Sequence, residues 1–335
     1  MTTSKLRYGS DSDAGIRRRG RKRFSYVNER TGRPPSRADL ERIVALAIPP
    51  AWSDVWIAAD PLSHLQATGR DARGRKQYRY HQSQIDASSA DKFAELIPFA
   101  SSLGRIRRQV TTDLRSKTLD HDQVVAAVVR LLDTTSLRVG NQEYERDNRS
   151  FGLTTLHQRH AKVRGSTIYL DFKGKSNHHF DVDIANKTLA RIVRRCQHLP
   201  GQHLFQYEAA DGARRTVSST DVNAYLAEHG DTLSTAKTFR TWNATVQAAD
   251  LFAELARDGA EPVPSVVNQV VDTVAQQLGN TRAVCRNSYI HPLVIDSYLN
   301  ATLLNGWARP VGTKPGGLRA PERRTLRLLA NKKRR

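Results

Sequence analysis

Four short stretches of the chain hold the side chains best suited to chemistry. Arg138 and Asn141 stand in "SLRVGNQEYERDN", Lys175 in "FKGKSN", Lys237 and Arg240 in "KTFRTWNA", and Tyr289 in "LGNTRAVCRNSYIHP", where Asn280 precedes it. Guanidinium groups keep their proton and donate in a planar fork that fits anionic oxygens. A lysine can lend a proton, and a phenol can act as a nucleophile where developing charge is stabilised. Each stretch alone also has an ordinary reading. The first is a charged helix exit, the second a solvated hairpin tip. The third is an arginine packed beside aromatics, and the fourth is one of ten tyrosines whose ring fills space.

Composition narrows the partner. Fifty-three Lys and Arg against 33 Asp and Glu give a formal charge of +20. That charge attracts a polyanion, and nucleic acid leads over an anionic membrane surface because no basic amphipathic helix with a broad apolar face stands out. Charge alone also fits a ribosomal or chromatin-type packing protein. Two cysteines, Cys196 and Cys285, cannot crosslink a scaffold, and no CxxC pair or Cys/His cluster has zinc spacing. Structural zinc is not expected, and a reducing cytosol fits. The N-terminus lacks an apolar leader, and no apolar run approaches the roughly 20 residues that span a bilayer. A soluble intracellular protein is expected.

At 335 residues the chain is long enough for two domains. Residues 1–20, ending in the basic run "GIRRRG", read as a flexible arm, and "RAPERRTLRLLANKKRR" reads as a basic tail with a short helix within it. Residues 21–88 read as a small mixed domain. Its strand-like runs are "FSYVNERTG", "DVWIAAD" and two extended segments about an Ala-Arg-Gly turn in "HLQATGRDARGRKQYRYH". Between them, Ser36 with Asp39 caps a helix carrying Leu40, Ile43, Val44 and Ala47 at helical spacing before Pro49-Pro50. Residues 89–335 are mainly helical, with helices expected to end at Gly279 and Gly306. The exception is a three-stranded meander in which Ile168, Leu170 and Phe172 alternate, as do Phe180, Val182 and Ile184, around the turn "KGKSN". The fold class is α+β.

Order changes the reading of the four stretches. Arg138 in "RVGN", Lys175 on a β-hairpin, Arg240 in "FRTWNA", and Asn280 before Tyr289 resemble the active site of the type IB DNA topoisomerases. The match is above all to the compact branch shared by poxviruses and bacteria, and it spans essentially the whole chain. "RTGRPPSRADLERIVALAIPPAW" and "GRDARGRKQYRYH" look like that branch's N-terminal domain.

The resemblance implies a C-shaped clamp around duplex DNA that relaxes supercoils of either sign without ATP, metal or other cofactor. Tyr289 would be the nucleophile that takes the 3′-phosphate. Arg138 and Arg240 would stabilise the transition state, Lys175 would be the general acid, and Asn280 would stand where many relatives carry histidine. Lys237 matches a further phosphate-contacting cation. Gln77, Tyr78, Tyr80, Asn141 and Tyr144 match DNA contacts. A monomer with no obligatory protein partner and no membrane association, in the cytoplasm at the nucleoid, follows from the same likeness. The rival enzyme is a tyrosine recombinase, which typically carries His-x-x-Arg where this chain has Lys237-Thr238-Phe239-Arg240. The rival of another class is a non-catalytic DNA-packaging protein.

Overall fold

The computed structural model describes residues 6–21, 23–307 and 317–331. The chain forms two compact units, Met1–Asp91 and Lys92–Arg335.

The first unit is an antiparallel five-stranded sheet, ordered β2-β1-β3-β4-β5. Its strands are β1 (Ile16–Arg19), β2 (Ser25–Asn28), β3 (Ser53–Ile57), β4 (Leu65–Arg70) and β5 (Lys76–Tyr80). Helix α1 (Arg37–Ala45) begins at Ser36, whose hydroxyl accepts from the Asp39 amide at 3.2 Å. Of its expected apolar stripe only Ile43 is buried; Leu40 and Val44 stay exposed. The sheet also corrects the reading of residues 1–20 as an arm. Ile16 is fully buried, Ile16–Arg19 pairs with β2, and Ile16 and Arg17 pair with β3, because the run of arginines hides a strand that Ile16 anchors in the core. Residues 1–5 and Lys22 lie outside the described residues.

Helix α2 (Gln82–Ala94) contains the division between the units. The second unit continues with α3 (Leu96–Asp113), α4 (His121–Thr135), α5 (Gln142–Asn148), strands β6 (Ala161–Arg164), β7 (Thr167–Lys173) and β8 (His179–Ala185), and α6 (Lys187–His198). The short ribbon β9 (Gln206–Glu208) with β10 (Arg214–Thr216) precedes α7 (Ser219–His229), α8 (Ala236–Arg257) and α9 (Pro264–Leu278). The chain closes with α10 (Arg282–Ser288), α11 (Pro292–Leu299), α12 (Leu303–Trp307) and α13 (Ala320–Asn331). No described helix is long and apolar enough to cross a membrane.

The meander is ordered β6-β7-β8, and Ile168 faces Ile184, Leu170 faces Val182 and Phe172 faces Phe180, so one face of the hairpin is a continuous apolar strip. Helix α9 ends at Gly279 in the left-handed conformation (φ +59°), as its sequence implies. Gly306 is not a cap: the run ending there breaks at Ala301 into α11 and α12, and Gly306 lies inside α12. The basic C-terminal segment is also more than a tail. Leu329, Thr325 and Glu322 of α13 are buried, and Glu322 joins Asp133 of α4 in gripping Arg107 of α3 at 2.7 and 2.6 Å. Residues 332–335 of that tail lie outside the described residues.

Two cores fill this unit. One gathers α3, α4, α6, α7 and the meander; the other gathers α9, α10 and α11. The long α8 belongs to both, giving Phe239 and Trp242 to the first and Ala248, Ala249 and Phe252 to the second. Arg240 sits on α8 between them, only 3% exposed.

Candidate active site

A charged side chain buried on a core helix must find partners, since an unpaired buried ion costs several kcal/mol, of order 3–5. Arg240 finds two backbone carbonyls. It donates through Nη2 to Leu278 O at 2.9 Å and through Nη1 to Ser136 O. Leu278 is the last residue of α9, and Ser136, left-handed at φ +57°, caps α4. Both carbonyls are the orphan acceptors that a helix C-terminus leaves, carrying the negative end of its dipole.

Arg138 is held by the same device. Its Nη1 donates to Leu278 O at 3.4 Å, and its Nη2 donates to Asn280 Oδ1 at 2.5 Å. One carbonyl therefore fixes two arginines that lie 102 positions apart in the chain. Burial first, and the neighbouring charge of Arg138 second, pull Arg240 down to about 10, against the opposing pull of Tyr289. The guanidinium stays charged at neutral pH.

Tyr289 closes the end of α10, and its ring lies 5.3 Å from the Arg240 guanidinium carbon. Its backbone is clipped to α8: Thr245 Oγ1 donates to Tyr289 O at 3.1 Å and accepts from the His291 amide at 3.1 Å. Next to it, Ile290 is fully buried in the second core. The ring position is thus set by α8, the same helix that carries Arg240.

Lys175 lies exposed at the β7–β8 tip, its Nζ 4.9 Å from the centre of the Tyr144 ring. The tip turns through two left-handed residues, Ser176 and Asn177. The hairpin beneath it is anchored, because a Cβ on Gly279 would fall 2.7 Å from both the His178 and Phe180 rings. That packing admits only glycine at the residue between Leu278 and Asn280.

These residues share one cavity of about 250 Å³, walled by Arg138, Asn141, Tyr144, Lys175, Lys237, Arg240 and Tyr289 among others. The four chemical stretches of the sequence converge there. Asn280 does not line it, but its Oδ1 is occupied by Arg138 while its buried Nδ2 has no partner, a spare N–H donor beside the two guanidiniums. Asn141 caps α5 by accepting from the Tyr144 amide at 3.1 Å. Gln77, Tyr78 and Tyr80 belong to the other unit, on β5. Tyr78 and Tyr80 stack on one exposed face with centroids 6.1 Å apart, while Gln77 on the opposite face donates to Asp71 at 3.0 Å.

Sequence reasoning missed the residues that hold the site. Asn243 Nδ2 donates to Asp133 O at 3.2 Å and to Ser136 Oγ at 3.0 Å, tying α8 to the loop that leads to Arg138. Lys92 donates to Asn287 O at 3.4 Å, and burial first, then the Lys237 charge, pull it down to about 8. It also missed a cluster of Glu145, His157 and His203, whose spacing in the chain follows no metal-binding pattern. Neither thiol competes with the phenol, since burial pushes Cys196 and Cys285 up to about 12.

A family model described as the catalytic core of eukaryotic DNA topoisomerase I matches residues 79–301, and one described as the N-terminal domain of bacterial DNA topoisomerase IB matches residues 23–71. The chain belongs to the type IB DNA topoisomerases. Within that family it is 32% identical to DNA topoisomerase 1B of Acanthamoeba polyphaga mimivirus over 270 residues, 78% of this chain and 80% of the viral one. It is 30% identical to DNA topoisomerase 1 of Mycosarcoma maydis over 177 residues, 48% of this chain and 17% of that one. It is 23% identical to DNA topoisomerase 1B of vaccinia virus strain Copenhagen over 137 residues, 40% and 44% of the two chains. As a type IB topoisomerase the protein is an isomerase that acts on DNA.

Proposed function

We propose that the protein relaxes positive and negative supercoils by cutting one strand through Tyr289, letting the duplex rotate, and resealing it, with no ATP and no metal ion. The supporting observation is the single cavity in which two carbonyl-fixed arginines, two lysines and a tyrosine face one another.

In this reading the phenol oxygen attacks a backbone phosphorus as the P–O5′ bond breaks, leaving a 3′-phosphotyrosyl ester and a free 5′-hydroxyl. The phosphoryl bond energy stays in the ester, so the reverse attack reseals the strand without added energy. Arg138 and Arg240 donate to the non-bridging oxygens, where charge accumulates, and their fixed carbonyl partners mean that little reorganisation is needed when it does. Asn280 contributes its unpaired N–H to the same oxygens. It cannot carry a full positive charge as a protonated histidine does, so no proton relay runs through it. Lys175 gives a proton to the departing 5′-oxygen, and Lys237 contacts a phosphate. Tyr144 and Asn141 touch the DNA backbone from the cavity rim, and Gln77, Tyr78 and Tyr80 bring the N-terminal unit onto the duplex, so that a monomer clamps it.

The test is a reaction on supercoiled plasmid in EDTA, stopped with detergent. Wild type should relax the plasmid and leave protein covalently attached to a nicked strand. Tyr289→Phe should bind DNA about normally and give neither adduct nor relaxation; an adduct formed by that variant would overturn the assignment.

A further inference from the structure

We propose that Glu145, His157 and His203 form a binding site for one divalent transition-metal ion of the zinc class, separate from the catalytic cavity. Their ligand atoms all lie within 4.8 Å of one another, and all three side chains are partly buried.

The backbone brings the two imidazoles together. His157 and His203 face each other in an antiparallel bridge, flanked by Leu204 N to Leu156 O at 2.7 Å and Gln158 N to Gln202 O at 2.8 Å. Those flanking bonds make 157 and 203 the non-hydrogen-bonded pair, the one whose side chains stand closer. Their rings are 5.4 Å apart and perpendicular. Glu145, from α5, completes the set with Oε1 2.7 Å from His157 Nε2. His203 Nδ1 is buried with no hydrogen-bond partner, a lone polar atom that the protein alone leaves unsatisfied. Phe151 packs edge-on against His157 at 5.0 Å and gives the site an apolar wall, while the other side opens to a cleft of about 990 Å³.

The donor set decides the class of ion. Two imidazoles and one carboxylate suit zinc and its neighbours, and ligands around a tetrahedral zinc stand roughly 3.3 Å apart, within reach by side-chain rotation alone. Magnesium would need oxygen ligands and near-octahedral geometry, which this set does not supply. Arg146, Arg149 and Arg159 line the cleft beside Glu143 and Glu145, so a purely electrostatic cation finds no acidic field there. An ion that gains from bonding to imidazole nitrogen does not depend on such a field. Three protein ligands leave a coordination position facing the cleft. Because Glu145 follows Tyr144 on α5, the ion would tie the wall of the catalytic cavity to the loops before β6 and β9 without touching the reacting phosphate.

The full chain, stripped with EDTA and desalted, is titrated with zinc against a chromophoric chelator. Wild type should bind one equivalent, and its melting temperature should rise by several degrees with zinc but not with millimolar magnesium. His203→Gln and His157→Gln should each weaken that equivalent at least about 10-fold and abolish the thermal shift. Glu145→Gln, nearly isosteric, serves if a histidine variant melts abnormally in EDTA. Cobalt in place of zinc should give a visible d–d spectrum in wild type alone. An equivalent that survives in His203→Gln and Glu145→Gln, or its absence from wild type, overturns the site. Relaxation in EDTA by wild type and His203→Gln should be equal, so failure of the metal site and failure of the cleavage mechanism give different results.

Discussion

The floor and the rim of the catalytic cavity are built on opposite principles. On the floor, Arg240 is 3% exposed on a helix shared by two cores, and with Arg138 it is bound to helix-terminal carbonyls. On the rim, Lys175 is exposed on a hairpin tip whose turn uses two left-handed residues, with an aromatic ring for its neighbour. Charge that must be met at the instant it develops is served by groups already in place. In the proposed reaction, a proton needed only when DNA is present comes from a group on the exposed rim.

The largest combined effect, on rate and stability together, should come from the floor. Arg240→Ala removes the proposed transition-state donor and should slow single-turnover cleavage by about 10²–10³. It also leaves the Ser136 carbonyl unpaired and the Leu278 carbonyl with Arg138 alone, so urea denaturation should show a loss of roughly 1–3 kcal/mol. If stability is unchanged, the floor is not preorganised in the manner described. Lys175→Ala should slow cleavage by roughly 10²–10⁴ with no change in the denaturation midpoint. A substrate whose leaving atom is a 5′-thiol, which departs without a proton, should restore the rate of this variant but not that of Arg240→Ala. Equal rescue of both would erase the distinction between floor and rim.

Asn243→Ala tests how far the floor extends. It should cost about 1 kcal/mol and slow cleavage modestly, since it loosens the loop carrying Arg138 while removing nothing that meets DNA. The smallest effect concerns Lys92. The fold disfavours its charged form, pulling it from 10.5 to about 8, so between those values the unfolded chain holds more protons than the folded one. Stability relative to Lys92→Met should therefore rise with pH from about 8 to about 10.5 and stay level outside that window. A difference independent of pH in urea titrations would show that burial, and with it the Lys237 charge, does not disfavour the charged Lys92.

The same contrast explains what could be read before the fold was known. The residues proposed to act on DNA announce themselves, because Arg138, Lys175, Arg240 and Tyr289 carry distinctive side-chain chemistry and stand in a recognisable order. Alternating apolar residues likewise announced the meander. The groups that aim them did not. Leu278 acts through its carbonyl, which every residue possesses, and Asn243 is an ordinary polar residue of a helix until the α4 terminus is seen beside it. Two basic segments misled for a related reason. In β1 the arginines mask the buried Ile16, and in α13, where a short helix was expected, the positive charges hide its docking: Glu322 is buried and completes an ion pair with Arg107, 215 positions away. Charge is conspicuous in a sequence, but its partner across the fold is not. The trio of Glu145, His157 and His203 escaped in the same way, since a strand bridge and a helix, rather than a spacing, assemble it.

The carbonyl at the end of α9 has one more consequence. A helix advances about 1.5 Å and turns about 100° with each residue. Inserting or deleting one residue between Pro264 and Leu278 would therefore swing the oxygen that both arginines grip to another side of the helix axis, although no catalytic side chain had been altered. The number of residues in α9 works as a gauge for the cavity: one residue more or fewer there would part the carbonyl from both guanidiniums.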